Sequence, residues 1–133
     1  MTSATPRTRD RGSVSVAAVM LVVIVFAGGG LIFDGARYLA AARHASNVAQ
    51  GAARAAAATG TPDGGLSAGV ARQAAIDHAA ALGIPAGDVT VSFPDARTVV
   101  VTITERRPAV FARFAGSSTI TARAEGRARL EFS

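Results

Sequence analysis

The sequence predicts an α+β protein in which a long, membrane-spanning N-terminal helix precedes a second helix and a small three-stranded antiparallel sheet. Residues 14–33 form a run of twenty residues without a charge, and the C-terminal third alternates apolar and polar residues. Half of the 133 residues are apolar and none is cysteine, so neither a disulfide framework nor a thiolate metal site is available. These observations favour one small domain joined to a membrane anchor.

The uncharged run has the length of a membrane span. At ~1.5 Å per helical residue it extends about 30 Å, the thickness of the hydrocarbon core of a bilayer. The apolar region of a secretory signal is shorter, roughly 7–15 residues, so the length favours an anchor that is kept. An alternative stays open, because Val25-Phe26-Ala27 places small residues where signal peptidase cleaves. Cleavage after Ala27 would leave Gly28 as the N-terminus of a secreted or surface-anchored binding protein.

The charges before the run predict its orientation. Arg7, Arg9 and Arg11 precede it, and only Asp10 opposes them. Positive residues stay on the inner side of a membrane, so residues 1–12 are predicted as a cytoplasmic leader. The chain is then a single-pass protein of the cytoplasmic membrane, with its C-terminal domain outside.

Three consecutive glycines, Gly28, Gly29 and Gly30, lie in the outer part of the run. Each glycine weakens a helix in water by roughly 1 kcal/mol, so the triplet is either a tolerated soft spot or a point of partial unwinding. In a membrane, small residues let helices approach closely, so the triplet is also a candidate helix-packing site.

Asp34, Arg37 and Tyr38 follow the run and are predicted at the membrane interface. Asp34 can pair with Arg37 at the i+3 position of a helix. A carboxylate close to lipid often has a function, but at the boundary water is expected to satisfy it.

The helix is predicted to continue far beyond the membrane. Alanine, the best helix former, occupies twelve of the 23 positions from residue 36 to 58. One long helix over residues 13–59 is therefore expected, followed by a small extracytoplasmic α+β domain over residues 60–133. A second helix is predicted over residues 66–82, with Asp63 as a possible N-cap and Gly83 and Pro85 as stop signals.

The alternation of the last third predicts three strands with one apolar face each. The first two form a hairpin, and a short helical turn that buries Val110, Phe111 and Phe114 is expected before the third. With 74 residues the domain is marginal for a core of its own, so the long helix or a partner subunit is expected to cover its apolar face. The residues that alternate inward are Val89, Val91, Phe93, Val99, Val101, Ile103, Ile120, Ala122, Ala124, Ala128 and Leu130.

Two regions resemble the TadE/TadG-like proteins of the Flp (tight adherence, Tad) pilus system. The C-terminal region, with its strand, Pro-aromatic segment and closing strand, covers residues 99–124 and includes RPAVFARFAG. The N-terminal region covers residues 9–57 and carries Arg11-Gly12, the apolar run, Asp34-Gly35, Tyr38, Leu39-Ala40, Asn47 and an alanine-rich helix.

The resemblance implies a minor pilin or a membrane-anchored accessory of pilus assembly, whose partners are the membrane, other pilins and assembly proteins. It also implies a pilin-like N-terminal helix that prepilin peptidase cuts after Gly12, which makes Ser13 the new N-terminus. Pilins usually carry Glu at the fifth position after the cut, and here Ala17 stands there. This departure favours the TadG-like type, in which the anchor is retained.

The residues do not predict an enzyme, a metal site or a cofactor. His44 and His78 are the only histidines, and no spaced acids join them, so they are interpreted as packing or surface residues. The formal charge is +5, but the arginines are scattered without an aromatic platform, so neither a specific nucleic acid nor a small-molecule substrate is expected. The last strand alternates charges that are predicted to be solvated, with a docking face as the alternative: Arg123, Glu125, Arg127, Arg129 and Glu131.

Overall fold

The first helix dominates the molecule. The computed structural model describes residues 10–131, so most of the predicted leader, residues 1–9, lies outside the described part of the chain. Helix α1 spans Asp10–Ala57, 48 residues that extend about 72 Å at ~1.5 Å each. It runs unbroken through the three glycines, so no unwinding occurs there. Its end is marked by Thr59, whose hydroxyl donates to the carbonyl of Ala56 at 2.7 Å.

Helix α2, Ala68–Ala81, is shorter than the predicted 66–82. The predicted N-cap, Asp63, is wrong, because Ser67 stands at that position. A tight turn explains the shift, since Thr61 and Gly65 exchange two backbone hydrogen bonds of 3.0 and 2.9 Å and hold Asp63 away from the helix.

The predicted stop at Gly83 is confirmed. Gly83 has a φ of +85°, the left-handed conformation that favours glycine after a helix. Its amide donates to the carbonyl of Ala80, and the amide of Ile84 donates to that of Ala79, both at 3.0 Å. This pair of bonds satisfies carbonyls that the end of a helix leaves free.

The predicted three-stranded antiparallel sheet is confirmed. Its strands are β1, Val89–Asp95; β2, Thr98–Pro108; and β3, Thr119–Arg129, in the order β1-β2-β3. The β1–β2 turn is held by Asp95, whose Oδ1 accepts the backbone amide of Arg97 at 2.8 Å. That hydrogen bond lowers the pKa of the Asp95 carboxyl, because it stabilises the ionised form.

One core joins the outer half of α1 to α2 and the sheet. Because most of its helical members are alanines, the helix axes and the sheet approach closely; Gly126 of β3 lies directly against the backbone of Ala49. We call this packed unit, residues 41–130, the head. Its fully buried residues include Ala45, Val48, Ala49, Ala52, Ala53, Ala56, Ala71, Ala75, Ala79, Val99, Val101 and Ile103.

The expected burial of three side chains between β2 and β3 is wrong. Val110, Phe111 and Phe114 are 40%, 37% and 91% exposed. The connection does form a short helical turn, Ala112–Ala115. It does not cover the apolar face of the sheet, because α1 already occupies that face, and it lies instead beside residues 30–34 of α1.

Candidate membrane-interface and assembly site

The inner part of α1 makes no packing contact with the head. Every residue from 12 to 29 is exposed, and Gly30 is the first that the rest of the chain covers. Among the described residues, one helix is long and apolar enough to cross a membrane, with a mean hydropathy of 2.7 over its most apolar stretch. We call the exposed residues 12–29 the bare segment. Gly12 and Ser13, the predicted processing residues, lie at its start.

The three glycines of α1 have different surroundings. A Cβ atom on Gly30 would lie 2.6 Å from ring carbon Cδ1 of Phe111, so this glycine makes room for a ring of the same chain. A Cβ atom on Gly28 or Gly29 would meet nothing within 4 Å. The sequence gives no reason to distinguish the three glycines. In the structure, Gly30 contacts Phe111 of the same chain, whereas Gly28 and Gly29 remain open.

Asp34 binds the connection between β2 and β3. Its Oδ1 accepts the amide of Val110 at 3.2 Å, and its Oδ2 accepts the amides of Phe111 and Ala112 at 2.9 and 2.6 Å. Three successive amides thus form a cradle for one carboxylate, and hydrogen bonds to an ionised group are stronger than neutral ones. The carboxylate is buried, with 8% of the residue exposed, so amides replace the water that the sequence predicted.

Sequence reasoning missed these partners because they lie 76 to 78 residues beyond Asp34. No local pattern reports a contact over that separation. The one available signal was the co-occurrence of an acid at the end of the apolar run and the Pro-aromatic segment RPAVFARF, the two regions that carry the family resemblance.

Two aromatic rings and one guanidinium extend this contact. The rings of Phe33 and Phe111 meet edge to face, with centroids 5.9 Å apart. The guanidinium of Arg37 lies over the Phe33 ring, 5.8 Å from its centroid. Arg37 therefore packs on the ring of Phe33. Its positive charge attracts the Asp34 carboxylate electrostatically from a longer distance. Tyr38 is 47% exposed on the next part of α1.

A polar groove of about 480 Å³ lies between α1, the end of α2 and β2. Glu105 is buried at its wall and accepts a hydrogen bond of 2.7 Å from Nε of Arg107. Its Oε2 makes no hydrogen bond within the described part of the chain. On the same rim, Arg106 pairs with Asp88.

Both histidines take packing roles, as predicted. His44 lies in the groove with its Nε2 3.2 Å from the carbonyl oxygen of Leu82. The imidazole of His78 packs directly on Gly51, where a side chain would collide with it. Each histidine thus joins α1 to α2. The charged residues of β3 and the residue that follows it are exposed, as expected of solvated side chains: Arg123, Glu125, Arg127 and Arg129 on the strand, and Glu131 after it.

Comparison with known proteins finds a family match that lies almost entirely on α1. Residues 12–59 match the family described as putative Flp pilus-assembly TadE/G-like. No curated protein and no solved structure matches the chain. The match covers the bare segment, Asp34 and the part of the core that α1 contributes, and it confirms the resemblance over these residues. Residues 12–59 are thus similar to the TadE/G-like Flp pilus-assembly family, and almost all of them lie on the long apolar helix α1.

Proposed function

We propose that the protein is a minor pilin or a membrane-anchored accessory of Flp/Tad-type pilus assembly, and that its role is structural. One observation carries the proposal: α1 is bare over residues 12–29, whereas from Ala41 onward it is the central helix of the head. An apolar helix of this length needs lipid or other helices around its bare part, because the exposure of so much apolar surface to water is unfavourable. The family match to pilus assembly supports both surroundings.

In this proposal residues 14–33 cross the cytoplasmic membrane, and the head lies outside, as the arginines before the run favour. Lipid tails are as apolar as the side chains, so association of helices in the membrane depends on close packing. Gly28 and Gly29 offer a surface where a second helix can approach, since a Cβ atom at either position would meet no atom of residues 10–131 within 4 Å. The partners are other pilins and pilus assembly proteins.

The two forms of the proposal differ in the fate of the N-terminus. A minor pilin is cut by prepilin peptidase after Gly12, so the mature protein begins at Ser13. A retained accessory keeps Met1. In the rival function, a secreted binding protein, signal peptidase cuts after Ala27 and the chain begins at Gly28.

N-terminal sequencing and intact-mass measurement on envelope fractions separate the two forms, because a start at Ser13 identifies a minor pilin and a start at Met1, which Ala17 favours, identifies a retained accessory. The Gly12→Val variant is expected to keep all twelve leader residues, because the branched side chain blocks the peptidase site. Gly35→Val is the matched control, since both glycines lie on α1 with open space around a Cβ atom. The control is expected to be cut as the wild-type chain is.

Other outcomes separate the alternatives. A wild-type chain that starts at Met1 rules out the cut and leaves the retained accessory. A chain that starts at Gly28 contradicts the membrane anchor and favours the secreted protein. If Gly12→Val and the wild type show the same mass shift, Gly12 is not the processing residue.

Helix packing has its own test. Gly29→Leu is expected to lower severalfold the fraction of the chain that migrates in high-mass envelope complexes on native gels, because the larger side chain keeps a neighbouring helix at a distance. The head is expected to stay folded, since the position is open within the chain. Ala18→Leu makes a similar change at another exposed position of the bare segment and serves as the control. Equal complexes in both variants would show that assembly does not use the glycines.

A further inference from the structure

We propose that the connection between β2 and β3 is a second membrane contact, in which Phe114 inserts into the outer boundary of the lipid bilayer. We call residues 109–116 the interface loop. The inference rests on the proposed membrane anchoring of α1 and adds a lipid-binding surface to the head. It assigns to Asp34 the role of holding the loop in place.

The first step is the depth of the loop. Residue 33 ends the uncharged run, so Gly30 and Asp34 lie at the outer edge of the proposed span. The loop contacts both: the Phe111 ring covers Gly30, and the loop amides bind Asp34. Four residues of helix rise only ~6 Å, so these contacts place Phe111 at the boundary between hydrocarbon and headgroups.

The second step concerns Phe114. The amide of Phe114 donates to the carbonyl of Phe111 at 3.0 Å within the short helical turn. At ~2 Å per residue in such a turn, Phe114 lies within about 6 Å of Phe111 along the axis of the turn, and therefore close to the same boundary. Its side chain is 91% exposed, the highest value among the large apolar residues of the described chain.

The third step is the chemistry of the surface. Val110 and Phe111 of the loop are also partly exposed, as is Phe33 of α1, whose ring contacts that of Phe111, so apolar side chains of both segments lie at the proposed membrane edge. Arg113 is exposed on the loop and Arg37 lies over Phe33, so two cations are available for lipid phosphates. The nearby acid, Asp34, is already occupied by three amides. An apolar side chain beside cations suits the boundary of a bilayer that carries phosphate headgroups.

These apolar side chains also fit a neighbouring subunit, but the observations favour lipid. The hydrogen bonds that set the depth of the loop lie within one chain, so these side chains meet the bilayer whenever α1 crosses it. A second contact restricts how the head rotates about the helix axis. The faces that the head presents to partners are then fixed relative to the membrane.

Tryptophan fluorescence tests the proposal, because the chain contains no tryptophan. Three single-reporter variants of the full chain, Phe114→Trp, Val70→Trp and Ile24→Trp, are reconstituted in vesicles of equal parts phosphatidylcholine and phosphatidylglycerol. The phosphatidylcholine carries bromine near the carbonyl end of its acyl chains in one preparation and near their methyl end in a second, and bromine quenches a nearby indole at either depth. Val70 is an exposed residue at the start of α2, in the part of the head farthest from Asp34 along α1, and serves as the control.

We expect the Phe114→Trp reporter to emit at shorter wavelength than the Val70→Trp reporter and to be quenched severalfold more strongly. The Ile24→Trp reporter is expected to be quenched whether or not the loop touches lipid. If this reporter is not quenched, the proposed span itself is wrong. If it is quenched while the Phe114→Trp and Val70→Trp reporters behave alike, the loop proposal is overturned and the span stands.

A further variant tests the role of Asp34. Asp34→Ala removes the acceptor of three amides and frees the loop from α1. In the Phe114→Trp background we expect this change to lower the quenching severalfold and leave that of the Ile24→Trp reporter unchanged. Quenching that is unaltered by Asp34→Ala would remove Asp34 from the proposal. Shielding of the Phe114→Trp reporter that grows with protein density but shows no bromine quenching would assign the ring to a neighbouring subunit.

Discussion

Replacing Gly126 with alanine is expected to lower the free energy of unfolding of the head by about 1–3 kcal/mol, the usual cost of forcing extra atoms into a packed core. A Cβ atom at Gly126 would collide with the carbonyl group of Ala49, which belongs to the backbone of α1. A backbone in the middle of a helix cannot turn aside as a flexible side chain can. The sheet therefore has to move away from α1, and the core between them opens.

Gly69→Ala is the matched control for this substitution. Gly69 lies near the start of α2, and a Cβ atom there meets nothing within 4 Å. Since alanine forms helices better than glycine, the control is expected to raise the stability by up to about 1 kcal/mol. Hydrogen exchange of the β2 and β3 amides, measured on the full chain in detergent micelles, gives the free energy of unfolding of the head for both variants. Equal exchange rates in Gly126→Ala and the wild type would show that β3 does not pack against α1 as described.

Ile103→Ala is expected to destabilise the head further, by about 2–5 kcal/mol, through the cavity that it leaves. Ile103 is completely buried, and among the described residues it is the largest of the fully buried side chains, followed by Val48, Val99 and Val101. Most of its helical neighbours are alanines, whose short side chains cannot reach into the space that a lost isoleucine leaves. The cavity is therefore expected to stay open.

The same exchange measurement tests this substitution, with Val70→Ala as its control. Val70 is 56% exposed, so its truncation is expected to change the stability by less than about 0.5 kcal/mol. Neither variant alters the bare segment of α1, so both proteins are expected to stay in the membrane fraction. A head that keeps its stability in Ile103→Ala would contradict the shared core.

Much of the fold is readable from local patterns. The uncharged run and the alanine-rich stretch after it predict α1 to within a few residues at each end, because length and helix propensity are local properties. The alternation at Val99, Val101 and Ile103 predicts β2, and the same periodicity predicts β3. The ends of α2 are less readable, because the turn closed by Thr61 and Gly65 takes the residues that Asp63 was expected to cap.

The sequence predicts only part of the candidate site. The positions of Asp34, Arg37 and Tyr38 at the end of the apolar run follow from counting residues. The amides that bind Asp34 do not follow, because they lie on a connection of the sheet near the other end of the chain. The burial expected for Phe111 and Phe114 is wrong for a related reason. The sequence left open whether α1 or a partner subunit covers the sheet, and it carries no signal that the connection lies beside Gly30 and Asp34 instead.

Local patterns along the chain predict the anchor-length helix and the alternating strands, and they carry the family resemblance that is confirmed over residues 12–59. These follow from periodicity, length and composition, which act between residues close in the chain. Three features emerge only when the chain is packed: α1 covers the sheet, the interface loop contacts Gly30 and Asp34, and Phe114 stays exposed. Those outcomes depend on which surfaces meet when distant segments pack, and packing is settled by the shape of the whole core.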